Sequence, residues 1–411
     1  MLLRTLCILR ARQTVLNISF KASSDRAIGS YRQLVPQVRV LIGGNDNIKV
    51  KKCQFHTTQR LHIPPGLALL IRPLTRVGAF LFGRYFKRWW AKKTPEEKEV
   101  FKKWFSVRRQ KIYGALGVVL AGLFFFYLTH MEKDPLTGRY RFIILTKEQQ
   151  KVLGKLTFDV HLEMHQDSIV PSDNPAYVRL VRITDRLIKA NQDLPQVTDR
   201  HWTLSVVASD AKNAYVLPGG NIFVFLGALK ITENDDQLAI ILAHEMGHVL
   251  LQHPIEQISR NVLLDILLAA PIAIIWATFP DLLALLIQAL GVNLVDVLVT
   301  LPHSRQAEIE ADDLGIRLAA RACFDVREAV VFWKIMQLLT DFKVEPKDIP
   351  WLSTHPNHEE REKHLSAKMK EALLIRTQSG CPKLSRYDPI ESFNSRSTKQ
   401  HASHLKAKGI L

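Results

Sequence analysis

The spacing of apolar and polar residues changes character several times along the chain, and each change predicts an element. From Ile112 to Thr129 the run IYGALGVVLAGLFFFYLT carries no charge over eighteen residues. That is long enough for a single transmembrane helix; a helix buried in a soluble domain is the alternative. Residues 147–166 and 175–191 have the helical period and predict amphipathic helices, separated by Pro171-Ser172-Asp173-Asn174-Pro175. The period then shortens to that of strands in TLSVVAS (203–209), NAYVL (213–217) and NIFVF (221–225), with Pro218-Gly219-Gly220 as a turn. These runs predict a small antiparallel sheet. A helix follows from about residue 235, opened by the capping residues Thr232-Glu233-Asn234-Asp235 and running through LAIILAHEMGHVLLQH. Residues 262–299 are strongly apolar but broken by Pro271 and Pro280-Asp281, with Asp265 and Asp296 near the outer ends. Each half falls short of the roughly 20 residues of a usual span. Both a shallow helical hairpin dipping into the outer leaflet and a buried helical pair satisfy this pattern. After Pro302, SRQAEIEADDLGIRLAA (304–320) predicts another helix.

Charge adds location to this outline. The 411-residue chain has 56 Lys and Arg against 39 Asp and Glu, a formal charge of +17, with the excess mainly in the N-terminal third and the C-terminal tail. No basic nucleic-acid-binding motif accompanies it, so nucleic acid is not expected as a partner. Residues 1–60 contain Arg4, Arg10, Arg12, Lys21, Arg26, Arg32, Arg39, Lys49, Lys51, Lys52 and Arg60 but only Asp25 and Asp46 as acids. This is the composition of a mitochondrial transit peptide; a basic disordered arm is the alternative. Residues 61–111 mix apolar, aromatic and basic side chains, with Trp89, Trp90 and Trp104 among Lys and Arg. Such a segment suits an anionic membrane surface, and equally a basic helix packed on a partner. Lys102, Lys103, Arg108, Arg109 and Lys111 crowd one end of the 112–129 run. If the membrane is the mitochondrial inner one, that end faces the matrix and everything after residue 130 faces the intermembrane space.

The chemistry centres on His244-Glu245-Met246-Gly247-His248. Histidines four apart share a helix face and can reach one zinc ion, while the Glu between them can take a proton from a metal-bound water. Gly247 costs a helix interior about 1 kcal/mol relative to Ala, which a close approach by another backbone, such as a strand carrying substrate, would justify. On the 304–320 helix Glu308 and Asp312 share a face. Glu308 can complete a His, His, Glu ligand set with one position left for water, and Asp312 can hold the free ring N–H of a ligating His. Glu310 points roughly the other way and is the weaker candidate; a solvated acidic face is the alternative for all three.

HEMGH followed by SRQAEIEADDLG resembles the HtpX and CAAX-prenyl-protease type of membrane-bound zinc endopeptidase. NAYVLPGGNIFVFLGAL is similar to that family's substrate-edge strand, here Asn213, Ala214 and Tyr215, and STHPNHEER (353–361) is similar to its late His-Pro motif. With a transit peptide and one N-terminal anchor, the resemblance is to the mitochondrial Oma-type metalloendopeptidase branch, stress-activated enzymes whose activity overlaps the m-AAA protease. It implies an α+β fold: a mainly helical zincin-like domain over 147–370 with a small antiparallel sheet, plus one N-terminal transmembrane helix. It implies His244, His248 and Glu308 as ligands of one zinc ion, Glu245 as catalytic base, and Asp312 behind the ligands. His355 would contact the oxyanion or substrate carbonyl, and Arg361 would orient its loop, although a surface Arg is the plainer reading. His253 and His358 match no motif. The implied substrates are membrane-anchored proteins, among them the dynamin-like fusion GTPase of the inner membrane and the chain itself by autocleavage. Anionic lipid such as cardiolipin is a further expected partner, and a homo-oligomer is left open.

The intermembrane space sustains disulfides, so Cys323 and Cys381 can be bridged, the alternative being one buried and one exposed thiol. Residues 371–411, polar and basic, read as a mobile tail. A different class of protein, a non-catalytic membrane scaffold that keeps zinc for structure, competes with the protease. Structural sites usually have four protein ligands rich in Cys, whereas three ligands and an adjacent Glu are legible here. Thermolysin-like enzymes place the Glu ligand much nearer the second His.

Overall fold

The structure, a computed structural model, describes residues 65–342, 349, 351, 355 and 358–407, without the side chains of 65–72, 358 and 359. The segment read as a transit peptide, with Cys7 and Cys53, lies outside the described residues, as does the side chain of His358.

Helix α1 (Pro65–Ala91) is followed by the long α2 (Pro95–Thr129), which Thr94 opens with a capping box closed by Glu97. The apolar run 112–129 is the second half of α2, with its side chains outside the protein core. A short hairpin, β1 (Met131–Lys133) and β2 (Tyr140–Phe142), leads into α3 (Lys147–His165) and α4 (Pro175–Lys189). Strands β3 (Thr203–Val207), β4 (Ala214–Val216) and β5 (Asn221–Phe225) form a sheet in the order β3-β5-β4. Helices α5 (Asp235–Leu250), α6 (His253–Thr278) and α7 (Asp281–Val295) come next. A π-helical turn, Asp296–Thr300, runs into α8 (Leu301–Arg321), before α9 (Glu328–Asp341) and α10 (His358–Gln378). Helices α11 (Pro389–Ser395) and α12 (Thr398–Ala407) end the described chain.

The fold is mainly helical, as expected, but the sheet is mixed rather than antiparallel. The Pro218-Gly219-Gly220 turn joins β4 to β5 as an antiparallel hairpin, with Gly220 at φ +93. Residues 208–213 carry β4 past the far side of β5, so β3 pairs with β5 in parallel, Thr203 against Asn221 through Val207 against Phe225. This leaves β4 on the edge next to α5.

Helix α5 is the hub. Asn234 caps it through Oδ1, which accepts from Gln237 N–H, and nearly every side chain along it is buried. Leu238, Leu242 and Met246 are fully enclosed with Phe332 and Trp333 of α9 in the main core, each apolar side chain contributing about 1.5–3 kcal/mol. Two glycines let α8 lie directly on α5. A Cβ at Gly247 would sit 2.9 Å from the Ala311 carbonyl oxygen, and one at Gly315 would sit 2.9 Å from the His244 backbone nitrogen. The backbone that Gly247 accommodates is therefore that of α8, not a strand carrying substrate.

The apolar stretch 262–299 also differs from expectation. Its halves belong to longer helices, because the flanking polar residues continue the helical hydrogen bonding. Among the described residues three helical stretches, Pro95–Thr129, His253–Thr278 and the continuous Asp281–Arg321, are long and apolar enough to cross a membrane, where one N-terminal span was expected. Within segment 61–111, helix α1 has a neighbour. Helix α1 runs parallel to α6: Arg76 meets the buried Asp265, Phe80 meets Trp276, and Lys87 reaches Asp281. Residues 95–111 are the first half of α2.

Of the tail read as mobile, residues 371–407 are described, and they are largely helical and held to the core. Cys323 and Cys381 form a disulfide. Arg376 donates to the carbonyls of Phe324, Cys323 and Pro382, while Ile390, Phe393 and Leu405 pack on the core. Apolar residues at long spacing supply this docking, and the polar composition around them concealed it.

Candidate metal centre

The ligand cluster follows from how α5 and α8 cross. His244 and His248, one turn apart on α5, turn their Nε2 atoms to within 3.1 Å of each other. Glu308 on α8 faces both, 3.5 Å from each Nε2 through its two carboxylate oxygens. His355 arrives from beyond α9 and closes the group, its Nδ1 lying 2.9 Å from Glu308 Oε2 and 3.3 Å from His244 Nε2. One potential ligand atom from each of these four residues lies within 4.8 Å of all the others. Two imidazole nitrogens and a carboxylate oxygen gathered in this way are a donor set that fits a divalent metal ion.

The surroundings push the two histidines in opposite directions. Burial, then the charge of neighbouring His244, holds the His248 ring well below its ordinary pKa, so it presents a neutral lone pair. At His244 burial and Arg361 push downward, but hydrogen bonds to Asp312 and Glu308 outweigh them and bring it up to about 9. A metal ion at this position displaces that proton.

Asp312 sits where the expectation placed it, with Oδ1 3.0 Å from His244 Nδ1. Arg361 is far from a surface residue. It is 2% exposed, donates from Nε and Nη2 to the two oxygens of Asp312 and from Nη1 to Glu308, and stacks over the Trp333 ring at 3.9 Å. Its guanidinium balances two buried carboxylates that would otherwise face each other. Glu245 stands beside the cluster, its Oε1 accepting from Trp351 Nε1 at 2.8 Å and lying 3.2 Å from His355 Nε2.

Strand β4 is the edge of its sheet on the side of α5. Main-chain bonds from Phe225 N–H to Asn213 and from Leu217 N–H to Asn221 turn Asn213, Tyr215 and Leu217 toward β5. The alternation of an antiparallel ladder then points the Ala214 and Val216 main chain outward. Tyr215 stacks on Phe223 and bonds His161 through its hydroxyl, and burial raises it to about 12.

Trp351 and Arg139 escaped the sequence reading, and His253 and Glu310 were set aside in it. Trp351 had no motif to mark it. His253 and Glu310 lie 3.2 Å apart, and His253 Nδ1 is 2.9 Å from His248 Nδ1. Arg139, in the β1–β2 turn, pairs with both Glu310 and Glu256. Helical periodicity carried past His248 puts residue 253 off the ligand face. The chain breaks that rule at Gln252, whose left-handed φ of 56 ends α5 and swings His253 back.

Two histidines and a glutamate on crossed helices, with a second glutamate poised beside them, define a centre of the metallopeptidase type. The comparisons agree: residues 177–369 match peptidase family M48. The chain is 39% identical over 340 residues to mitochondrial metalloendopeptidase OMA1 of Bos taurus, covering 82% of this chain and 65% of that one. It is 37% identical to the Danio rerio OMA1 over 83% of this chain and 72% of the relative. Against the Saccharomyces cerevisiae OMA1 it is 30% identical over 66% and 79%. The chain thus spans slightly less than two thirds of the bovine relative's length and belongs to the M48 family of OMA1-type metalloendopeptidases.

Proposed function

We propose that this chain is a zinc-dependent endopeptidase of mitochondria. It is anchored in the inner membrane through α2, with the peptidase domain on the intermembrane-space side. The observation that carries the activity is the convergence of His244, His248 and Glu308 with Glu245 alongside. The donor set suits zinc, which when bound polarises a peptide carbonyl and makes a water more acidic. Glu245, aligned by Trp351, takes the proton of the attacking water and returns it to the leaving amine nitrogen. His355, beside Glu245, is placed to donate to the carbonyl oxygen as it gains charge. An extended substrate adds to the outward main chain of Ala214 and Val216, which favours unfolded segments of membrane-tethered proteins. The dynamin-like fusion GTPase of the inner membrane and the chain itself are the substrates proposed, in a quality-control and stress-response role. Aromatic and basic residues such as Trp89, Trp104 and Arg108 would meet anionic lipid such as cardiolipin.

Glu245→Gln tests the activity. It should leave metal content intact and abolish cleavage of a tethered substrate, whereas normal processing by this variant ends the protease reading. One observation favours a scaffold instead: His355 supplies a fourth donor, and a closed four-ligand site is characteristic of structural zinc. A structural site would release its metal on His355→Ala.

A further inference from the structure

The two histidine ligands are held from behind in different ways. His244 meets a carboxylate directly, Asp312 at 3.0 Å. His248 meets another imidazole: its Nδ1 is 2.9 Å from Nδ1 of His253, and His253 Nε2 is 3.2 Å from Glu310 Oε2. We propose that His253, backed by Glu310 and Arg139, is the positioning residue that fixes the ring of His248; this rests on the metal-centre reading above.

The proton pattern follows from elementary bonding. A neutral imidazole that offers Nε2 to a metal carries its hydrogen on Nδ1. His248 therefore donates from Nδ1, and His253 must accept with a bare Nδ1. The hydrogen of His253 is then on Nε2, where it donates to the Glu310 carboxylate. Each link has one allowed direction, so the chain specifies both tautomers without a charge on either ring. Glu310 also accepts from Arg139 Nη2 at 3.2 Å and from Gln306 Nε2 at 2.9 Å. Arg139 is fixed in turn by two hydrogen bonds to Glu256 on α6. His253 and Glu310 are both buried, so water does not replace a missing partner freely.

The relay also has an origin of interest. Arg139 belongs to the turn between β1 and β2, the segment immediately after α2. That hairpin is tied to the helix end by Ile143 N–H donating to the His130 carbonyl and to α6 by Ile144 N–H donating to Ser259 Oγ. The orientation of one metal ligand is thereby referred to the point where the chain leaves its apolar helix.

The test uses the purified full chain in detergent, with zinc affinity measured by competition against a chromophoric chelator and the visible spectrum of the cobalt-substituted protein as a second readout. His253→Leu removes the acceptor and should weaken zinc about 10–100-fold and shift the cobalt bands. His253→Asn returns an oxygen near the position of Nδ1 and should recover most of the loss. Glu310→Gln, which leaves the histidine in place, should give an intermediate loss and guards against a His253 variant that fails to fold. Wild-type affinity and spectrum in His253→Leu or Glu310→Gln would overturn the proposal, as would His253→Asn proving as weak as His253→Leu. A wild-type chain that takes up no metal would instead overturn the metal-centre reading itself.

Discussion

At the scale of single residues, the centre is a balance of buried charge. Glu308 and Asp312 bring two carboxylates into the core, and Arg361 answers both. Removing one partner of such a set leaves uncompensated charge, so Arg361→Ala should cost about 3–5 kcal/mol of stability, read by denaturant unfolding. Arg361→Lys should recover only part, because an ammonium cannot bond both Asp312 oxygens as a planar fork does. His355→Ala separates the roles open to that histidine. If it serves the reacting carbonyl, metal content should hold at the wild-type level while kcat falls about 10²–10³-fold. The cluster was legible because one helical turn separates His244 from His248, and another separates Glu308 from Asp312. His253 was not, since its approach depends on a backbone reversal at Gln252 that no side-chain pattern announces.

At the scale of elements, the decisive feature is the contact between α5 and α8. Gly247 faces the Ala311 backbone and Gly315 faces the His244 backbone, so each helix carries the notch that receives the other. Gly315→Ala puts a methyl group against main chain rather than against a yielding side chain. We expect a stability loss of about 1–3 kcal/mol together with weakened metal binding, from thermal unfolding and chelator competition on the same sample. Unchanged affinity would mean the helices tolerate separation. The sequence marked Gly247 as a site of close approach yet could not name the neighbour, because packing partners come from residues some sixty positions away. Strands were likewise legible one by one, while their order was not: the parallel pairing of β3 with β5 depends on the path of residues 208–213.

At the scale of the whole molecule, a buried peptidase core is joined to apolar helices whose side chains stay exposed, including Phe124 and Phe125 of α2 and Leu282 and Leu290 of α7. Exposed apolar surface of this kind marks an interaction site, and the two helical stretches are long enough to cross a membrane. The C-terminal region is closed onto the core by the bridge from Cys323 to Cys381, 58 residues apart. By loop-closure entropy such a bridge contributes about 4 kcal/mol. Reduction, or Cys381→Ser, should lower the unfolding midpoint accordingly, and an unchanged midpoint would show that Arg376 and the apolar contacts of α11 and α12 suffice. Sequence composition suggested a loose tail here because its few anchoring apolar residues are diluted by Lys and Ser.

The most direct measurement is the metal content of the purified chain by elemental mass spectrometry, taken for the wild type, Glu245→Gln and Glu308→Ala side by side. One zinc per chain is expected in the first two and well under one in the third, because Glu308 supplies a ligand and Glu245 does not. A Glu308→Ala chain that still holds one zinc and still cleaves substrate would contradict the shared centre.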